Sequence, residues 1–169
     1  MNTIKIFLAS SCELAYERMI IGDKIQKADD EWRAKGVRLQ LMVWEDYRPE
    51  FLGVRTQTEY DEYLVNESQI VIGLFKNRCG KYTQEEIVNA IKASAGDKGK
   101  LPVAIYLEKG SLLLNNSQKI SNALANFGVF TIEYGTMNDV KTNLLIYRKR
   151  AYLYCIRRKS RYSTVGYPL

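Results

Sequence analysis

One stretch in the middle of the chain concentrates the chemistry. Lys76-Asn77-Arg78-Cys79-Gly80-Lys81-Tyr82-Thr83-Gln84-Glu85-Glu86 supplies three cations, a turn glycine, an aromatic ring and two carboxylates. A cationic rim suits a phosphorylated ligand, with arginine offering a bidentate fork and lysine a point charge. Arg78 and Tyr82 are the candidates there for holding a substrate. Glu86 sits early in the helix that follows and is the candidate catalytic carboxylate. The competing reading is local: Thr83-x-x-Glu86 has the spacing of a capping box, in which the carboxylate bonds back to the Thr83 N–H. Residue types alone leave both readings open.

Two further segments carry polar groups that could meet the same ligand. Ala9-Ser10-Ser11-Cys12-Glu13 places two hydroxyls at the start of a helix, ready for a phosphate or a ribose hydroxyl. The alternative is ordinary capping, since Ser10-x-x-Glu13 is also a capping-box pattern. Trp44-Glu45-Asp46 ends a strand with a ring and two carboxylates, so Trp44 could stack on a base and Asp46 hold ribose hydroxyls. Equally, Trp44 could cover the core while the acids face water.

Composition removes many other chemistries. The chain has no histidine, which excludes Ser-His and Cys-His nucleophile pairs and His-containing zinc sites. Cys12, Cys79 and Cys155 are widely separated, so no metal site is expected and the odd count suits a reducing, cytoplasmic setting. No GxGxxG follows the first strand and no GxxxxGK[ST] occurs anywhere, which argues against a dehydrogenase or a P-loop ATPase. No apolar run approaches the roughly 20 residues of a membrane helix. The 169 residues carry +6, yet residues 140–169 hold eight basic side chains and no acid. Residues 1–139 thus hold 17 basic and 19 acidic residues, net −2, so basicity belongs to the C-terminus.

These groups need a scaffold, and the pattern describes one. Apolar or alternating runs at 3–9 (TIKIFLA), 37–44 (VRLQLMVW), 69–75 (QIVIGLF), 101–107 (LPVAIYL) and 129–134 (VFTIEY) read as strands. Helical patterns fall between them: 10–35, stopped by Gly36, with Leu14, Met19, Ile20, Ile25, Ala28 and Trp32 inward; a short one at 56–66; 83–94; and 117–126. A last helix runs from about 138 to 158. Alternation of this kind predicts an α/β fold, a flavodoxin-like three-layer sandwich with a five-stranded parallel sheet. One domain over 1–158 and a basic tail over 159–169 are expected. In such sheets ligands bind beyond the carboxyl ends of the strands, near the switch in strand order. That rule brings together the loops at 10–11, 44–55, 76–82 and 108–111.

KIFLASSCELAYERM and QIVIGLFKNRCGKYTQEEIVNAI together resemble a bacterial TIR-like domain, of the kind found at the N-termini of defence and signalling ATPases and distantly related to nucleoside deoxyribosyltransferases. The pattern is a strand, the Ser10-Ser11 turn, a helix with a Glu-Arg pair (Glu17-Arg18), the apolar strand 70–75, the Arg78-Cys79-Gly80 loop and Glu86-x-x-x-Ala90. The resemblance covers residues 3–95. Cys79 departs from it, because an aromatic is frequent at that position.

The resemblance implies a glutamate acting at the anomeric carbon of a ribosyl group: Glu86, with Glu85 as the alternative. Its implied substrate is NAD or a related nucleotide, with no resident cofactor. Nicotinamide leaves NAD as a neutral base, so no general acid is needed, and one carboxylate can stabilise the oxocarbenium-like transition state or act as nucleophile. By the same likeness Ser10 and Ser11 lie near ribose or phosphates, Trp44 and Asp46 near the nucleotide, and Arg78 near phosphate. Self-association accompanies the type.

Two other readings share these residues. A nucleoside N-glycosidase or deoxyribosyltransferase would need an acid to protonate its leaving base, and Asp46 and Glu85 are available. A non-catalytic interaction module would use Glu86 as a cap and the 78–82 loop as an interface. In the tail, Tyr147, Tyr152, Tyr154, Tyr162 and Tyr167 interleave with basic residues and could meet nucleic acid or an acidic partner. A solvated basic helix end is the simpler account.

Overall fold

The computed structural model describes residues 1–43, 67–95, 102–113, 117–129 and 131–140. Strand β1 (Asn2–Ser10) is followed by a 3-10 turn (Cys12–Leu14) and helix α1 (Ala15–Arg33). Next come β2 (Val37–Met42), β3 (Ile70–Phe75), α2 (Lys81–Ala95), β4 (Val103–Glu108), α3 (Gln118–Phe127) and β5 (Thr131–Tyr134). The five strands form one sheet in the order β2-β1-β3-β4-β5, and every pairing is parallel. This is the doubly wound α/β architecture expected, with its switch point between β1 and β3.

Pleating divides the core in two. Ile4, Ile6 and Leu8 of β1, with Ile70, Ile72 and Leu74 of β3, pack against Ile21, Ile25 and Trp32 of α1. Phe7, Ala9, Val71 and Phe75 face the other way, onto Ile87, Ala90 and Ile91 of α2 and Ile120 and Leu124 of α3. Every residue of β3 is buried, which explains its unbroken apolar sequence. Each such side chain stabilises the fold by about 1.5–3 kcal/mol relative to an exposed one. Gly73 lets α2 lie close on the sheet: a Cβ there would stand 2.8–2.9 Å from Phe75, Ile105 and Ile87.

The local expectations need correction in several places. The α1 stripe is Arg18, Ile21, Ile25, Asp29 and Trp32, rotated from the predicted face, and Met19 is 56% exposed. Two charged residues inside the stripe disguised it. Asp29 accepts the Leu39 N–H of edge strand β2 at 2.6 Å and is paired with Arg33 at 2.7 Å. The expected helix starts shift as well. Ser10 is the last residue of β1, and Thr83 lies inside α2, which opens at Lys81 with Gln84 N–H bonding the Gly80 carbonyl. At Thr136-x-x-Asp139 the carboxylate accepts the Thr136 N–H at 2.8 Å and the Gly135 N–H at 2.9 Å. Strand β4 begins after Pro102, whose missing N–H cannot join the ladder, although its carbonyl accepts from Val71. Gly36 ends the α1 turn at φ 73°, the left-handed conformation that favours glycine.

The predicted helix at 56–66, all but the first turn of the terminal helix, the tail and Asp46 and Trp44 lie outside the described residues. Among the described residues, no helix is long and apolar enough to cross a membrane.

Candidate functional site at the switch point

Parallel register carries the strand ends to one edge. Ser10 pairs with Leu74, Phe75 with Leu107 and Glu108 with Tyr134, so the loops after β1, β3 and β4 emerge side by side.

The first loop is held from beneath by Arg18. Its Nη1 donates to Ser10 Oγ at 3.0 Å and to the Ser11 carbonyl at 2.7 Å. Ser10, Ser11 and Arg18 are all buried. Alternation along β1 sends Ser10 to the α1 side of the sheet, with Leu8 and Ile6. The Ser11 hydroxyl donates to Glu13 at 3.2 Å and makes no helix cap.

The loop after β3 is anchored at its first residue. Lys76 Nζ donates to Glu17 Oε1 at 2.7 Å and lies 3.9 Å from Glu108 Oε1. Burial would raise the Glu17 carboxyl, but the Lys76 hydrogen bond, a backbone N–H and the charges of Lys76 and Arg18 together hold it below its ordinary value. The Glu17 bond outweighs burial at Lys76 and raises that ammonium. The loop backbone is tied as well: Tyr134 Oη donates to the Phe75 carbonyl at 3.3 Å, and Ser111 Oγ to the Lys76 carbonyl at 2.5 Å. Burial, reinforced by Glu108, Glu17 and Glu13, pushes the Tyr134 phenol well up, so it stays protonated. Lys76 is thus engaged by carboxylates of the fold itself. Arg78, Lys81 and Tyr82 are exposed beyond it.

Glu86 and Cys79 belong to the other side of the sheet, where Cys79 packs against the α2 core. Glu86 is 8% exposed, next to Ile87, which packs at Gly73. Burial, with the Glu86 carboxylate adding to it, pushes the Cys79 thiol up to about 12. Cys79 is therefore a protonated thiol at neutral pH and a poor nucleophile. Glu85 instead borders an open groove of about 480 Å³ between α2 and α3, with Lys92, Lys119 and Asn122. The two neighbouring glutamates thus face different surroundings.

The structure brings Ser10 and Ser11 together with Arg18, and Glu86 together with Cys79. It leaves Arg78 and Tyr82 on the exposed rim. Sequence reading counted Lys76 among the cations of a phosphate-binding rim and placed Glu108 in a site loop, but gave Glu17 and Arg18 no role beyond the resemblance. Among the described residues, no group of three or more carboxylates and cysteines could hold a metal ion.

No protein-family model matches the chain, and no curated protein matches it. Among solved structures it is similar to the X-ray structure of an oxidoreductase from Corynebacterium diphtheriae, at 15% identity and a TM-score of 0.46, covering 92% of this chain and 96% of that one. It is also similar to the TIR domains of the activated Roq1 resistosome that directly recognises the pathogen effector XopQ. That likeness has 14% identity and a TM-score of 0.44, over 89% of this chain and 82% of the other. At these values neither likeness bears on activity, and the α/β class rests on the strand order itself.

Proposed function

We propose that the chain is a TIR-like domain that hydrolyses the nicotinamide–ribose bond of NAD, with Glu86 as its catalytic carboxylate. The observation supporting this is the placement of Glu86, buried in the second turn of α2 and near enough to Cys79 for its charge to be felt there. A carboxylate is costly to bury, which makes a buried one a candidate for function. As the C1′–N bond breaks, its electron pair neutralises the pyridinium nitrogen, and nicotinamide departs unprotonated. Glu86 orients the ribose hydroxyls and stabilises positive charge at C1′. Water then adds to C1′ and releases its proton, giving ADP-ribose. In this reading Ser10 and Ser11 lie near the ribose or phosphates, Arg78 meets a phosphate, Tyr82 offers a ring, and Trp44 and Asp46 complete the nucleotide side. Self-association activates the site.

The test is nicotinamide release measured over a range of protein concentrations. Glu86→Ala should lower it by about 100-fold or more, and Glu85→Ala far less. Equal rates in Glu86→Ala and wild type would overturn the assignment. Base release from deoxynucleoside monophosphates with NAD untouched would favour the N-glycosidase or deoxyribosyltransferase reading. Assembly unaffected by Glu86→Gln, without turnover of either substrate, would favour an interaction module.

A further inference from the structure

The loop that leads into the Glu86 helix is fastened at two consecutive residues by three different parts of the fold. Tyr134 of β5 holds the Phe75 carbonyl, Ser111 after β4 holds the Lys76 carbonyl, and Glu17 of α1 holds the Lys76 ammonium. The residue after Glu17, Arg18, fastens the neighbouring β1 loop through Ser10 and Ser11. Adjacent residues in the first turns of α1 thus grip both loops that flank the switch point.

We propose that Glu17 and Lys76 are a positioning pair that sets the β3 loop, and through it Cys79 and Glu86, in a preorganised geometry, and that Lys76 does not bind substrate phosphate. The inference rests on the glycosidic reading for its kinetic consequence and on geometry alone for its structural one. Four residues separate Lys76 from Lys81, where α2 begins, so the anchor lies close to the start of that helix. A cation free to meet a phosphate would not sit 2.7 Å from one carboxylate and 3.9 Å from a second. Small misplacements of a reacting group are costly to the chemical step while leaving ground-state binding almost intact.

Lys76→Met, Lys76→Arg and Glu17→Gln, with wild type, are compared in two measurements. The first is the rate of iodoacetamide alkylation at Cys79, resolved from Cys12 and Cys155 by peptide mapping, under conditions where melting curves show each variant folded. The second is the kcat and KM for nicotinamide release. Lys76→Met and Glu17→Gln should speed Cys79 alkylation by about fivefold or more. They should lower kcat by about 10- to 100-fold with KM little changed, while Lys76→Arg stays near wild type on both. Unchanged alkylation in Lys76→Met would overturn the proposal, as would a raised KM with kcat intact, which marks a phosphate ligand. If no variant, wild type included, releases nicotinamide, faster Cys79 alkylation still upholds the positioning pair and the glycosidic reading falls alone.

Discussion

The Cys79 thiol lies within the field of the Glu86 carboxylate. Burial pushes the thiol up to about 12, and the carboxylate contributes to the rise. Replacing Glu86 with glutamine removes the second cause and leaves the first. Alkylation of Cys79 in Glu86→Gln should therefore reach a given rate at lower pH than in wild type. A pH–rate profile identical in the two proteins would place the residues outside each other's influence.

Arg18 is a buried cation that bonds a buried hydroxyl and a buried carbonyl. Arg18→Met keeps much of its stem and deletes both bonds, leaving those oxygens without their donor. A loss of about 2–3 kcal/mol in urea unfolding is expected. Loss of less than half a kcal/mol would mean that the turn holds itself.

Acid should weaken the fold in a defined window. Burial raises the Asp29 carboxyl, but the Leu39 N–H and Arg33 more than reverse this and leave it below its ordinary 3.8. Glu17 is likewise held below 4.5. A carboxyl depressed in the folded state stabilises above its unfolded value and loses that contribution as pH falls through the folded one. Stability should thus decline below about pH 4.5, with Asp29→Asn showing a shallower slope below pH 4. Denaturant midpoints measured from pH 6 to pH 2 check this, and parallel slopes would refute it.

The Glu17–Lys76 pair should respond to alkali with the opposite sign. Lys76 is raised above its ordinary 10.5, so its contribution is full below that value and fades as pH climbs through the folded one. Denaturant midpoints above pH 10 should fall less steeply in Lys76→Met than in wild type.

Gly73→Ala inserts a methyl group where three side-chain ends already crowd. Relief requires Ile87 to move, and Ile87 neighbours Glu86. The substitution should destabilise by about 1–3 kcal/mol. It should also reduce nicotinamide release beyond what the unfolded fraction explains. Unchanged melting would show that the core has room there.

The fold was legible because its signals are local and periodic. Strand β3 could be read from IVIGLF, since burial on both faces demands a run without polar breaks, and α3 from Ser117, whose hydroxyl does accept the Ile120 N–H. The rotated face of α1 was hidden because Arg18 and Asp29 occupy buried positions that pattern reading assigns to apolar residues. Capping-box spacing misled for a related reason: it is right at Ser10 and Thr83, but β1 runs through Ser10 and α2 opens two residues before Thr83. The loop cluster followed from topology, while its fastenings did not. Glu17 meets Lys76 across 59 positions of sequence, and no short-range pattern encodes such a pair.

The pleat of β1 turns Ser10 toward α1, while Glu86 belongs to the helix on the opposite face of the sheet. A molecule that touches both must straddle the rim of the sheet. Under the proposed reading, an elongated ligand would be needed to meet both residues, so strand geometry would select for length before any side chain does.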